Sequence, residues 1–366
     1  MLTRLKSAIK QLPWIRALVA DRDRLRSELV ATAAERDSIQ SQIAVLDGER
    51  DKLHAELAAA SCESDRLRSR LAVVSAEMDT LHSELANLKR NKFYVPPGHF
   101  ASPIPSLDEI GRNDARIFGA VPRHIPGIDL RESEQLALLE RLVPYYAAMP
   151  FWPHKTEGLR YYFENASYSY SDAIVLHCLM RLLKPRRIIE VGSGFSSCMM
   201  LDTNERFFGG SIATTFIEPY PALLLSLIDE KETIRLIPSN LQDVDLGEFD
   251  ALAANDILFI DSTHVGKIDS DVNRVFFDIL PRLAPGVYVH FHDIFYPFEY
   301  PKGWVYEGRG WNEAYMLRAF LQFNSEFRVV LMNTFMELFH AAFFTQKMPL
   351  CLKNPGGSIW IQKLPR

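Results

Sequence analysis

The chain opens on an apolar stripe with a seven-residue period. The pentads "DRDRL", "ERDSI", "ERDKL", "ESDRL" and "EMDTL" begin at 21, 35, 49, 63 and 77, a spacing of two heptads. With Leu25 at position d, Ile39, Leu46, Leu53, Leu67, Val74, Leu81 and Leu88 also fall at d. Leu29, Ile43, Leu57, Leu71, Met78 and Leu85 fall at a. A strict heptad sustained over 21–90, with no proline inside it, predicts a left-handed coiled coil. Arg36 and Arg50 sit at a, each preceded by a glutamate at g, Glu35 and Glu49. In a parallel dimer that glutamate lies beside the partner's arginine, so the expected assembly is a parallel homodimer.

After 90 the period is lost. Pro96, Pro97, Pro103 and Pro105 punctuate a stretch read as a semi-rigid spacer over 91–130. From 131 to 366 short apolar runs alternate with helical patterns. "RIIEV" (187–191), "SIATTFIE" (211–218), "TIRLI" (233–237), "DILFID" (256–261) and "GVYVHFHD" (286–293) read as strands, followed later by "FRVVLMN" and "SIWIQKL". Most lack polar alternation, as strands of a parallel sheet covered on both faces do. Helices are expected at 171–185, 270–283 and 311–323. The fold class is therefore α/β, a doubly wound, mostly parallel sheet preceded by a long helical rod.

Composition narrows the function. A net charge of −5 asks for no nucleic-acid partner, and no apolar run is long enough to cross a membrane. Residues 1–20 are basic and amphipathic, with Leu2, Leu5, Ile9 and Leu12 on one side. They read as a lead-in helix capable at most of weak contact with a membrane surface, not as a secretory signal. Four cysteines without paired or metal-type spacing suit a reducing, cytoplasmic setting.

Candidate chemistry gathers at the strand ends, where ligands bind in doubly wound sheets. The first strand ends in Glu190 and runs into Gly192, Ser193 and Gly194; the second ends in Glu218. The paired glycines let a ligand approach the backbone, and Glu218 is placed to accept hydrogen bonds from ribose hydroxyls. "DILFID" ends in Asp261 with His264 three residues on, and "GVYVHFHD" ends in His292 and Asp293. Two carboxylates brought together call for a cation between them. His290, deeper in its strand, reads as core.

The "E-x-G-x-G" of Glu190, Gly192 and Gly194, with an acidic end to the second strand, resembles class I S-adenosylmethionine (SAM)-dependent methyltransferases. The resemblance implies a seven-stranded sheet and SAM as cofactor. Glu190, Gly192, Ser193 and Gly194 would then lie on the methionine side, Glu218 on the ribose, and Asn240 and Gln242 near the adenine. "DSTH" and the pair at the end of the fifth strand are similar to the metal-dependent O-methyltransferases of the catechol and macrolide-sugar types. That resemblance implies Asp261, His292 and Asp293 as ligands of a divalent ion, Mg²⁺ foremost, and His264 as the general base. It also implies a small-molecule acceptor, with a sugar or glycan hydroxyl favoured. His292 departs from the family pattern, which has an acid there. Tyr296, Tyr300 and Trp304 are candidates for stacking on the acceptor. Two other readings stay open. One is a non-haem iron oxygenase using Asp261, His264 and His292; the other is a non-catalytic coiled-coil scaffold with a degenerate head.

Overall fold

The computed structural model describes residues 12–90, 94–229 and 232–365. The amphipathic positions Leu2, Leu5 and Ile9 lie outside the described residues, as does the side chain of Leu88. The chain forms two compact units, Met1–Tyr94 and Val95–Arg366.

In the first unit one helix, α1, runs unbroken from Pro13 to Arg90. Its first residue is proline, whose missing N–H costs nothing at a helix start. The a and d side chains named above, Leu88 aside, are 46 to 71% exposed in the single chain. A continuous apolar stripe left in water is not stable by itself and asks for a partner helix.

The second unit is built on a seven-stranded sheet: β1 (Arg187–Val191), β2 (Ala213–Ile217), β3 (Arg235–Ile237), β4 (Ile257–Ile260), β5 (Tyr288–His292), β6 (Phe327–Met332) and β7 (Ser358–Lys363). Their spatial order is β3-β2-β1-β4-β5-β7-β6, with β7 antiparallel to its neighbours. The four residues of β4 and most of β1, β5 and β7 are fully buried, which explains their uninterrupted apolar runs. The helix Tyr170–Leu183 covers the sheet with eleven consecutive buried residues, Tyr170 to Met180. It ends one residue short of Pro185, at Lys184 in the left-handed conformation.

Two expectations change in detail. Residues 270–283 are not one regular helix but a turn of α-helix (Asp271–Arg274), a π segment (Val275–Ile279) and a 3₁₀ turn (Leu280–Arg282). Pro281 is the physical reason: it offers no N–H, and its ring crowds the carbonyl four residues back, so the turn before it widens. The stretch 95–130, read as spacer, packs into the second unit. Ile110, Ile125 and Leu130 are buried there, Asp114 pairs with Lys302, and the Pro122 carbonyl accepts from the Tyr296 hydroxyl.

Candidate active site

β1 and β4 are adjacent, and the chain winds outward from them in opposite directions. The crevice over their carboxyl ends is the topological switch point of the sheet. Backbone hydrogen bonds stitch its rim: Asp261 N–H donates to the Val191 carbonyl (2.9 Å), and Gly192 N–H to that of Ile217 (3.0 Å). Gly192 adopts φ +83°, and a Cβ there would lie 1.7 Å from the Asp261 carbonyl oxygen. Only glycine lets these two strand ends approach so closely.

A cavity of about 410 Å³ opens on this rim, lined among others by Gly192, Glu218, Asn240, Gln242 and Asp261. Glu218 accepts from the backbone N–H groups of Ser193 (3.2 Å) and Tyr220 (2.8 Å), which fixes its carboxylate at the end of β2. Gln242 donates to the Asp269 carbonyl and Asn240 reaches Asp243. Glu190 lies elsewhere. It is fully buried, accepts from the Ser196 and Ser197 hydroxyls, and so ties β1 to the helix Phe195–Phe208. Burial pushes its pKa up to about 8 against the pull of those two hydroxyls. Ser193 and Gly194 form the turn between, where Gly194 N–H donates to Ser197.

Next to the cavity, ligand atoms of Asp261, His264 and Asp293 lie within 4.8 Å of one another. His264 Nε2 is 3.5 Å from Asp261 and 3.4 Å from Asp293. Its Nδ1 is 2.9 Å from Glu313, a fully buried carboxylate. Burial opposes the charge on His264, but Asp261 and Glu313 outweigh it and raise the pKa to about 10. Burial likewise works against ionisation of Asp261, yet the His292 and His264 imidazoles bring its pKa below the ordinary value. For Asp293 and Glu313 burial prevails and both are raised.

His292 lies outside that convergent group. Residues two apart on a strand share a face, so it stacks with His290 (5.8 Å) and against Tyr168 (5.3 Å), and its Nε2 is 3.7 Å from Asp293. Its Nδ1 is buried without a partner among the described residues. Asp293, one residue on, leaves the strand at φ +55°. Two carboxylates and one imidazole are a donor set that a divalent cation accepts. His290 is core as expected, lying flat on Phe259 at 3.9 Å, but neither of its ring nitrogens has a hydrogen-bond partner among the described residues. Burial holds it neutral.

The three aromatic candidates separate. Tyr296 is a core residue, its ring against Phe335 and Phe339. Tyr300 and Trp304 both stand edge-on to Trp311, and Trp311 lies 4.5 Å from the His264 ring. Arg309 covers the Trp304 face at 4.2 Å. Tyr300, Arg309 and Trp311 line a second cavity of about 440 Å³ with Pro103, Arg116 and Glu299. Glu313 and Trp311 escape a reading of the sequence. They sit in an amphipathic run that looks like an ordinary helix start, where an acidic residue usually faces water and the helix dipole.

Residues 189–294 match the family model described as a methyltransferase domain. An uncharacterized protein of Archaeoglobus fulgidus is 37% identical over 164 residues, covering 44% of this chain and 74% of the archaeal one. The chain belongs to that relative's family and carries a methyltransferase domain. The matched span begins inside β1 and ends just past Asp293, so it holds Glu190, Glu218, Asp261, His264 and Asp293. Solved structures similar to the chain include two methyltransferases. One is the O-methyltransferase TomG of Streptomyces achromogenes, in complex with SAM (15% identical, 70% of this chain and 96% of that one, TM-score 0.36). The other is PaMTH1 of Podospora anserina, SAH-bound (13%, 75% and 100%, TM-score 0.36). Among the described residues no helix is long and apolar enough to cross a membrane.

Proposed function

We propose that the methyltransferase domain transfers the methyl group of SAM to a hydroxyl, with a sugar or glycan as the favoured acceptor. The observation that carries this reading is the shared rim: Gly192, Glu218, Asn240, Gln242 and Asp261 line one cavity, and Asp261 also belongs to the histidine–carboxylate cluster. A nucleoside held by Glu218 would thus end beside the group that handles the acceptor proton. His264 is the base: Nε2 takes the hydroxyl proton as the oxygen attacks the methyl carbon and the carbon–sulfur bond breaks. Asp261 and Asp293 would hold a divalent cation, with His292 bordering it. Such a cation would polarise the acceptor oxygen and draw off the carboxylate charge that keeps His264 protonated. The Tyr300, Trp304 and Trp311 rings and the Arg309 guanidinium supply stacking faces and donors of the kind that bind sugars. An iron oxygenase would need His292 on the same ion as Asp261 and His264, whereas the converging atoms belong to Asp293.

We also assign α1 to a parallel homodimer in the reducing cytoplasm. In register, each g position faces the partner's e position five residues on. Asp21–Arg26, Glu49–His54, Glu63–Arg68 and Glu77–His82 then pair across the dimer, and no like charges meet. An antiparallel pair would set the acidic g positions against each other.

Titration calorimetry with SAM tests the catalytic reading. Wild type should bind, and Glu218→Ala should weaken binding tenfold or more, the worth of about one charged hydrogen bond. No binding by wild type, or equal binding by the variant, would sink it.

A further inference from the structure

We propose that Trp311, Asn312 and Glu313 form a clamp whose purpose is to position His264, with Glu313 as the positioning residue that keeps the imidazole proton on Nδ1. This rests on the reading of His264 as the base and deepens it.

His264 has a backbone conformation that side-chain-bearing residues resist, φ +60°. Something must hold it there. Its carbonyl accepts from two consecutive N–H groups, those of Asn312 (3.1 Å) and Glu313 (3.2 Å). The Asn312 side chain grips the same loop two residues on, accepting from Gly266 N–H (2.6 Å) and donating to the Gly266 carbonyl (3.2 Å). Trp311 packs on the imidazole face at 4.5 Å. Three successive residues thus hold the backbone, the loop and the ring of His264.

The carboxylate of Glu313 completes the clamp. It begins the helix Glu313–Gln322, where an acidic residue serves the helix dipole from the surface, yet here it is fully buried. Burying a carboxylate is costly unless it is well partnered. Its Oε2 meets His264 Nδ1 at 2.9 Å, and its Oε1 has no hydrogen-bond partner among the described residues. So the one side-chain hydrogen bond that offsets the burial, among the described residues, is to His264. The two ring nitrogens differ accordingly. Nδ1 is at hydrogen-bond length, while Nε2 lies 3.4 to 3.5 Å from Asp293 and Asp261, too far for a strong bond to either. A carboxylate on Nδ1 holds that N–H in place and fixes the ring angle, leaving Nε2 facing the space between the two aspartates.

The test is the imidazole ¹⁵N–¹H spectrum of the full chain labelled with ¹⁵N-histidine, with His264→Gln to assign the signal. In wild type, His264 should show a downfield, slowly exchanging Nδ1 proton. In Glu313→Gln, the same size but uncharged, that proton should move upfield and exchange at least tenfold faster. In Glu313→Ala it should vanish. Thermal melts report whether each variant is folded; should the alanine variant unfold, the glutamine variant decides. An Nδ1 proton unchanged within twofold in folded Glu313→Gln overturns the clamp. Titration of the same samples with SAM separates the two claims: failure of wild type to bind SAM overturns the methyl-transfer reading, while the spectrum still decides the clamp.

Discussion

Gly192→Ala is the substitution for which the structure sets the clearest magnitude. Two costs add. The first is conformational, since at φ +83° an L-residue loses about 1–2 kcal/mol relative to glycine. The second is steric. The new Cβ would stand 1.7 Å from the Asp261 oxygen and 2.8 Å from its carbonyl carbon, where real contacts keep beyond 3.0 Å. The neighbour is backbone, held by the Asp261–Val191 hydrogen bond, so it cannot swing aside as a side chain could. Forcing such a shift in a packed region costs about 1–3 kcal/mol. The sum is roughly 2–5 kcal/mol, or about 4–20 °C in Tm at 2–4 °C per kcal/mol. Gly210→Ala is the control: φ is +76°, but nothing lies within 4 Å of its Cβ, so only the conformational cost applies. Differential scanning calorimetry of both variants, with SAM titration, makes the measurement. Gly192→Ala should melt about 2–12 °C below Gly210→Ala, the steric cost alone. It should also bind SAM at least tenfold more weakly, because the displaced Asp261 lines the cavity. If the two variants melt together and bind SAM alike, the close approach of β1 and β4 is not what shapes this site.

Two further predictions concern the rod and the buried carboxyls. Reversing the rod's charge with Glu63→Arg should raise the dimer dissociation constant about 2- to 30-fold by sedimentation equilibrium, since two exposed pairs are lost per dimer. The double exchange Glu63→Arg with Arg68→Glu should restore it, and failure of that rescue would reject the parallel in-register pairing. Glu337, buried beside Ser171, has its pKa pushed up by burial to about 9 from 4.5. Between those values the folded state keeps a proton that the unfolded chain has lost, so stability falls as pH rises. Glu337→Gln removes that slope and should gain roughly 3 kcal/mol in urea unfolding at pH 7, shrinking to little below pH 4.5. An equal difference at all pH values would contradict the assignment.

What could be read beforehand follows from how locally each feature is encoded. The strands were legible because burial on both faces leaves an uninterrupted apolar run, as in "ILFI" of β4. Glu218 and Asp261 were legible because the end of such a run in a doubly wound sheet is already a place. His292 shows the limit of that rule. It also ends a strand, but alternation gives it the face of His290, while Asp293, one residue on, has the opposite face and leaves the strand at φ +55°. Glu313 was illegible for a different reason. It meets His264 across forty-nine residues, through a helix start that nothing in its own neighbourhood distinguishes.

The strained residues point to a common principle. Of the seven non-glycine residues at positive φ among those described, Arg131, Lys184 and Asn255 serve helix caps or turns away from the crevice. The other four, His264, Asp269, Asp293 and Phe298, all follow β4 or β5. A strand that continued straight would carry Asp261 and Asp293 apart, at the pitch of neighbouring strands. Left-handed turns just after the strand ends instead fold His264 and Asp293 back over the crevice. Each such turn costs about 1–2 kcal/mol and persists only where surrounding contacts outweigh it. For His264 those contacts are two N–H groups, a tryptophan face and a buried carboxylate, all from residues 311–313. The site is therefore assembled by strain at the sheet edge and held by a helix start that arrives later in the chain. Loosening that helix start should scatter the cluster before it harms the sheet.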